Sequence, residues 1–215
     1  EASGQIVALG NYVLDAACKQ IALWLKAGTP LRVAVNLSAY QLRQVNLVEH
    51  VSSCLQRYQV PPQWLELELT ESVMLHDIDI VKATLYSLKR LGVRLSIDDF
   101  GTGYSNILML KSLPARELKI DRIFVKDISE NSKNTKIVST IIDIAHSMNM
   151  RVVAEGIETQ EQELLLTQMG CSMLQGFLFA KPLPAHKIHE LIQQENSIKQ
   201  KPVVHPLSHR QSITL

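Results

Sequence analysis

Leu65-Glu66-Leu67-Glu68-Leu69-Thr70 alternates apolar and polar residues over its whole length. That is the period of a strand with one face on an apolar layer and the other on something polar. The alternation returns in Leu95-Ser96-Ile97-Asp98 and again in Leu118-Lys119-Ile120-Asp121. Helical patterns lie between such strands. Within residues 79–91, Val81, Leu85 and Leu88 share one stripe, and Gly92 follows where a helix C-terminus favours a residue free to take positive φ. Residues 133–148 place Ile137, Ile141, Ile144, Ala145 and Met148 three and four apart. Thr159 can cap a further helix with Gln162 three residues on, Leu165, Leu166 and Met169 supply its apolar side, and Gly170 ends it.

Six strands are predicted: Arg32–Ser38, Leu65–Glu71, Arg94–Asp99, Glu117–Arg122, Arg151–Gly156 and Met173–Phe179. Helical stretches separate most neighbours, the signature of parallel strands joined by crossover helices. An open doubly wound sheet and a (β/α)8 barrel both satisfy that alternation. Central strands of a doubly wound sheet are covered on both faces and tend to be apolar on both. Strands that are apolar outward, polar inward and end in charged residues fit a barrel whose C-terminal mouth carries the chemistry. The expected fold is therefore α/β, a modified TIM-like barrel with six of eight strands in this chain. Two strands are expected to lie upstream.

Composition bounds the rest. The 215 residues suffice for one large core, and 46% hydrophobic with 20% charged residues is ordinary for a globular chain. A net charge of +1 does not suit a dedicated binder of DNA or RNA polymers. Cys18, Cys54 and Cys171 cannot all pair with one another and form no C-x-x-C motif, so buried thiols are expected. The sequence shows no uninterrupted apolar run of 18 residues and no leader pattern. A cytoplasmic location is expected, with the possibility of an anchored parent protein because Glu1-Ala2-Ser3-Gly4 does not resemble a natural start. The expected domain spans residues 1–194, with His186–Gln194 as its last helix and the polar residues 195–215 as a mobile tail.

Polar residues gather near the strand C-termini: Asn36, Glu68, Asp98 and Asp99, Lys119 and Asp121, Glu155, Gln175. Among them five carboxylates face one lysine. Such a cluster, partly buried, would repel itself and take up protons unless cations neutralise it. An all-oxygen set of Asp, Glu and Asn suits hard divalent ions rather than zinc. Adjacent Asp98 and Asp99 at a strand end could both be aimed at ions if the strand departs from regular geometry. Each piece also has a bland reading. A lone strand Glu such as Glu66 is more often ion-paired than a ligand, and Asp-Asp at a strand end is commonly a turn or a cap. Asp99-Phe100-Gly101 lacks the accompanying loops of a kinase, and the H-x-x-H of His186 and His189 lacks the partners of a zinc site.

Taken in order, Asn36-Leu37-Ser38, Glu68-Leu69-Thr70-Glu71-Ser72, Asp98-Asp99-Phe100-Gly101-Thr102-Gly103-Tyr104-Ser105, Leu118-Lys119-Ile120-Asp121-Arg122, Ala154-Glu155-Gly156-Ile157-Glu158-Thr159 and Gln175-Gly176-Phe177 resemble the successive motifs of EAL domains. The resemblance runs to about residue 194. It implies a metal-dependent phosphodiesterase that hydrolyses cyclic di-GMP to linear pGpG in second-messenger signalling. It implies two ions, Mg2+ or Mn2+, with Asn36, Glu68, Asp98 and Asp99 as ligands, Asp98 as the bridge and Glu155 at the second ion. Lys119 matches the residue that holds the attacking water, Gln175 and Asp121 match substrate-side positions, and Glu71 matches the anchor of the Gly101–Ser105 loop. A homodimer and an additional sensory or GGDEF-type domain are implied for the parent protein. Arg116 and Ile123 depart from the family pattern, where Asp and Ser are frequent. The glutamate of the name motif has no counterpart here. A catalytically silent receptor for cyclic di-GMP, or a protein-interaction module, is the alternative; the intact visible ligand set favours descent from an active enzyme.

Overall fold

The computed structural model describes residues 5–71, 78–102, 107–129 and 132–199. Two compact units emerge, residues 1–182 and residues 183–215. The first holds six strands: β1 (Val33–Leu37), β2 (Leu65–Thr70), β3 (Arg94–Phe100), β4 (Glu117–Ile120), β5 (Arg151–Glu155) and β6 (Met173–Gln175). All pairings are parallel, and the strands lie side by side in sequence order. A doubly wound sheet must reverse its strand order at some point; this one never does. The sheet is a curled half-barrel, the α/β architecture expected of a TIM-like fold.

The alternation read from the sequence decides which face is which. Leu65, Leu67, Leu69, Leu95, Ile97, Leu118, Ile120, Val152 and Ala154 form the outward layer, none more than 4% exposed. Each buried aliphatic side chain contributes about 1.5–3 kcal/mol relative to exposure. The crossover helices cover that layer: α1 (Gln5–Lys26), α2 (Ala39–Leu42), α3 (Leu47–Arg57), α4 (Ile78–Leu91), α5 (Ile107–Ser112), α6 (Arg122–Lys126), α7 (Lys133–Ser147) and α8 (Gln160–Gln168). The local signals behave as their chemistry requires. Gly92 takes φ +94° after α4 and Gly170 takes φ +83° after α8. Thr159 and Gln162 form a reciprocal capping box at the start of α8.

Three expectations need adjusting. The last strand stops at Gln175, because Phe179 N–H donates to the Gly176 carbonyl and the chain turns there. Among the described residues one helix, α1, is long and apolar enough to cross a membrane by length and composition. It is interrupted by Asn11, Asp15 and Lys19, and its Leu14, Cys18 and Ile21 are buried in the core. Cys18 and Cys54 are buried thiols and Cys171 is half-buried; burial pushes the Cys18 pKa up to about 12.

In the second unit, α9 (Ala185–Lys199) begins after Pro184, whose carbonyl accepts from Lys187 N–H and Ile188 N–H. The helix runs five residues into the stretch read as a polar tail; residues 200–215 lie outside the described ones.

Candidate active site

At the C-terminal end of the half-barrel the polar face closes on Lys119. Its Nζ lies 2.8 Å from Glu68 Oε1, 2.5 Å from Glu155 Oε1 and 3.5 Å from Asp98 Oδ1. Four strands, β2 to β5, thus present one group each to a common point. Lys119 is 6% exposed, Glu68 7% and Asp98 8%, so little water screens the cluster. Burial alone would lower the lysine pKa, but the hydrogen bonds to Glu155 and Glu68 outweigh it, and Lys119 is held protonated above the ordinary lysine range. Burial raises the Glu68 carboxyl, and contact with Lys119 offsets this only in part while Asp98 and Glu155 add to it.

Asp98 and Asp99 owe their placement to a break in the β3–β4 ladder. Ile97 pairs with Leu118 and Phe100 pairs with Ile120, so two aspartates on β3 stand opposite the single Lys119 on β4. This is a β-bulge, uncommon between parallel strands and frequent beside active sites. Asp99 takes φ +54°, a left-handed backbone that aspartate tolerates better than most residues. Asp98 Oδ1 accepts a hydrogen bond from Asp99 N–H at 3.0 Å, which stiffens the bulge. Burial, then the Asp98 carboxylate and Asp121, push the Asp99 pKa up to about 6. Asp121 also caps α6, its Oδ1 accepting from Ile123 N–H at 2.7 Å.

Glu71 sits at the end of β2, 5% exposed, and its Oε2 accepts from Gly101 N–H at 3.0 Å. Residues 103–106 of the following loop lie outside the described ones. Asn36 is exposed on the inward face of β1, opposite Glu68 in register. Gln175 is exposed on β6, opposite Glu155, and its carbonyl accepts from Ile157 N–H at 3.1 Å. Neither is drawn into the Lys119 cluster by a direct bond.

The donor set is all oxygen, and the neighbouring carboxylates Asp98 and Glu155 add to burial in raising the Glu68 and Asp99 carboxyls. That chemistry fits a hard divalent cation. In the present arrangement the ammonium itself occupies the centre. Among the described residues no three of His, Cys, Asp or Glu stand close enough together to hold an ion directly. Holding one would therefore require carboxylates to turn from Lys119 toward it.

A second charged layer, which the sequence reading did not assemble, lies one step lower on the same face. Arg32 Nη1 reaches Glu66 Oε2 at 3.0 Å, and Arg151 Nη2 reaches Glu117 Oε2 at 2.7 Å. Glu66 is thus ion-paired, as its bland reading held. The signal was available: Glu66 and Glu117 each precede a site residue by two positions, and a strand puts residues two apart on one face.

The EAL domain family model matches residues 1–182. The bifunctional diguanylate cyclase/cyclic di-GMP phosphodiesterase MucR of Pseudomonas aeruginosa is 47% identical over 189 residues, 87% of this chain and 28% of MucR. The chain thus spans less than a third of that relative's length. A solved structure of the MucR phosphodiesterase in complex with c-di-GMP matches at a TM-score of 0.82 and 46% identity, covering 87% of this chain and 82% of that one. The manganese/c-di-GMP complex of Klebsiella pneumoniae BlrP1 matches at a TM-score of 0.76 and 28% identity, covering 85% and 46% respectively.

Proposed function

The chain belongs to the EAL domain family, and we propose that it hydrolyses cyclic di-GMP to linear pGpG with the help of two divalent cations, Mg2+ or Mn2+. The observation that carries this reading is the convergence of Glu68, Asp98 and Glu155 on Lys119, with a bulge that adds Asp99. The phosphodiesterase named for MucR and the manganese named for BlrP1 are properties of those proteins; similarity to them supports the same substrate and a metal here.

In this reading Glu68, Asp98, Asp99 and Glu155, with Asn36 from β1, would hold the ions, Asp98 being the one expected to serve both. Bound ions would neutralise charge on the entering and leaving oxygens of the phosphodiester. An ammonium has three N–H donors. As carboxylates turned from Lys119 toward the ions, the donors they gave up would become free to orient the attacking water. A lysine held protonated cannot serve as the base, so the half-buried Glu155 beside it accepts the proton. Water oxygen bonds to phosphorus, one bond from phosphorus to a ribose 3′ oxygen breaks, and that oxygen leaves with a proton. Gln175 and Asp121, at either side of the mouth, contact the substrate. Glu71 positions the loop after Gly101. A further sensory or GGDEF-type domain belongs to the same proposal, supported by the greater length of the relatives; dimerisation is proposed with it on the family resemblance alone.

The test is chromatographic detection of pGpG from cyclic di-GMP by the protein carrying this domain, with Mg2+ or Mn2+ and with EDTA. Metal-dependent pGpG formation is expected. Tight binding with no product under any metal would instead favour a silent receptor.

A further inference from the structure

At the opposite end of the strands, where β3, β4 and β5 begin, a cavity of about 360 Å3 is lined by Lys89, Arg94, Arg116, Glu117 and Arg151. Arg94 and Asp98 lie four residues apart on one strand, which separates this cavity from Asp98 by roughly 13 Å. The backbone around it is stitched together: Arg116 N–H donates to the Leu95 carbonyl at 3.1 Å, and Arg151 N–H to the Arg116 carbonyl at 2.9 Å. Three arginines therefore rise from a fixed frame. The lining holds four cations and one carboxylate, Glu117, which is already engaged by Arg151; the adjacent Glu66 is engaged by Arg32.

Among the described residues, Lys89, Arg94 and Arg116 have no carboxylate within ion-pair distance. Partial desolvation and then the positive charges of Arg32 and Arg151 lower the Arg94 pKa, and the carboxylates of Glu66 and Glu117 offset this only in part. One bland reading is that these side chains offset the carbonyl ends of the helices finishing at this face. It accounts for Lys89, in the last turn of α4. It does not account for Arg94 and Arg116, which stand on β3 and in the turn before β4.

We propose that this cavity is an anion site for a diphosphate group, whether free pyrophosphate or the diphosphate of a nucleotide, remote from the Lys119 cluster. Planar guanidinium groups present paired N–H donors that match phosphoryl oxygens. The volume suits a diphosphate or one nucleotide. The site would take the anion without a metal, since the cations are the protein's own.

Calorimetric titration of residues 1–215 in EDTA, at matched ionic strength, uses sodium pyrophosphate, GDP, ADP and orthophosphate as probes. Saturable binding of pyrophosphate is expected, with affinity lowered roughly tenfold or more in R94Q/R116Q, since each lost charge-assisted hydrogen bond weakens binding by about that factor. Asp98→Asn should leave it unchanged. Equal affinity for pyrophosphate and both nucleotides would identify the diphosphate alone as the ligand; tighter nucleotide binding would identify the nucleotide. Arg94 and Arg116 are exposed, so R94Q/R116Q should melt with the parent, and Arg116→Glu gives a second variant expected to abolish binding. No saturable heat, equal affinity in R94Q/R116Q, or loss of binding in Asp98→Asn would overturn the proposal. Because EDTA removes metal and no turnover is read, failure here leaves the hydrolytic reading untouched.

Discussion

Glu71 at the end of β2 and Gly101 just beyond β3 are joined by one hydrogen bond, Oε2 accepting from the glycine N–H at 3.0 Å. The bond clamps the chain immediately after the Asp98–Asp99 bulge. Glu71→Ala should weaken metal and substrate binding together, and Glu71→Gln should weaken them less because its amide oxygen can still accept. Metal affinity by calorimetry alongside KM and kcat decides this: loss of kcat alone, with metal affinity unchanged, would count against a positioning role.

Gly101 tests the same clamp from its other side. It has φ +98°, and a Cβ there would meet Phe124 Cε2 at 2.9 Å. Gly101→Ala therefore combines a disfavoured backbone with a clash, and a loss of about 1–3 kcal/mol is expected by denaturant melts. An unchanged midpoint would mean that the turn is not held as described.

Asp98→Asn should reduce turnover about a hundredfold or more while the melting temperature stays near the parent's. Near-parent turnover at saturating Mg2+ would remove Asp98 from the bridging role.

Lys119→Met leaves Glu68 and Glu155 facing each other without their cation. Removing one partner of a buried ion pair costs about 3 kcal/mol or more. The deficit should be largest in EDTA and shrink as Mg2+ is added, because an ion bound only to the folded state stabilises it. Equal melting of variant and parent in EDTA would show that the ammonium does not hold this cluster together.

Burial and the neighbouring Glu66 raise the Glu117 pKa from its ordinary 4.5 to about 7. The folded state thus binds this proton more tightly than the unfolded chain does. The resulting stability is fully present below about pH 4.5 and is lost as pH rises through 7. Glu117→Gln removes this dependence, so its melting temperature should fall less between pH 5 and pH 8 than the parent's. Parallel pH profiles would refute the raised pKa.

Most of the sheet was legible because strand parity is a strong signal: Leu65, Leu67 and Leu69 against Glu66, Glu68 and Thr70 told the packed face from the polar one, while Asp98, Asp99 and Glu155 at strand C-termini marked the end. The capping residues Thr159 and Gln162 act within four residues of one another, so their geometry needs no tertiary context. The hydrogen bonds of Lys119 to Glu68 and Glu155 were not legible, since they join three strands separated by long crossovers. The lower charged layer was hidden for another reason: Arg32, Glu66, Glu117 and Arg151 each resemble ordinary surface charges until the curl of the sheet brings them together. The extent of β6 was misread because Phe177 and Phe179 continue an apolar pattern through a turn.

The bulge at Asp98 and Asp99 also separates the frame of β3 from its chemistry. One extra residue there resets the strand's parity, which returns Phe100 to the outward layer, where it is 3% exposed. Removing one aspartate would leave Ile97 and Phe100 two positions apart, matching Leu118 and Ile120 across the ladder. The strand would then be regular, and Phe100 would keep its outward place. What would go is the second carboxylate and the left-handed backbone at Asp99. The barrel wall could do without the extra residue; only the charge cluster makes use of it.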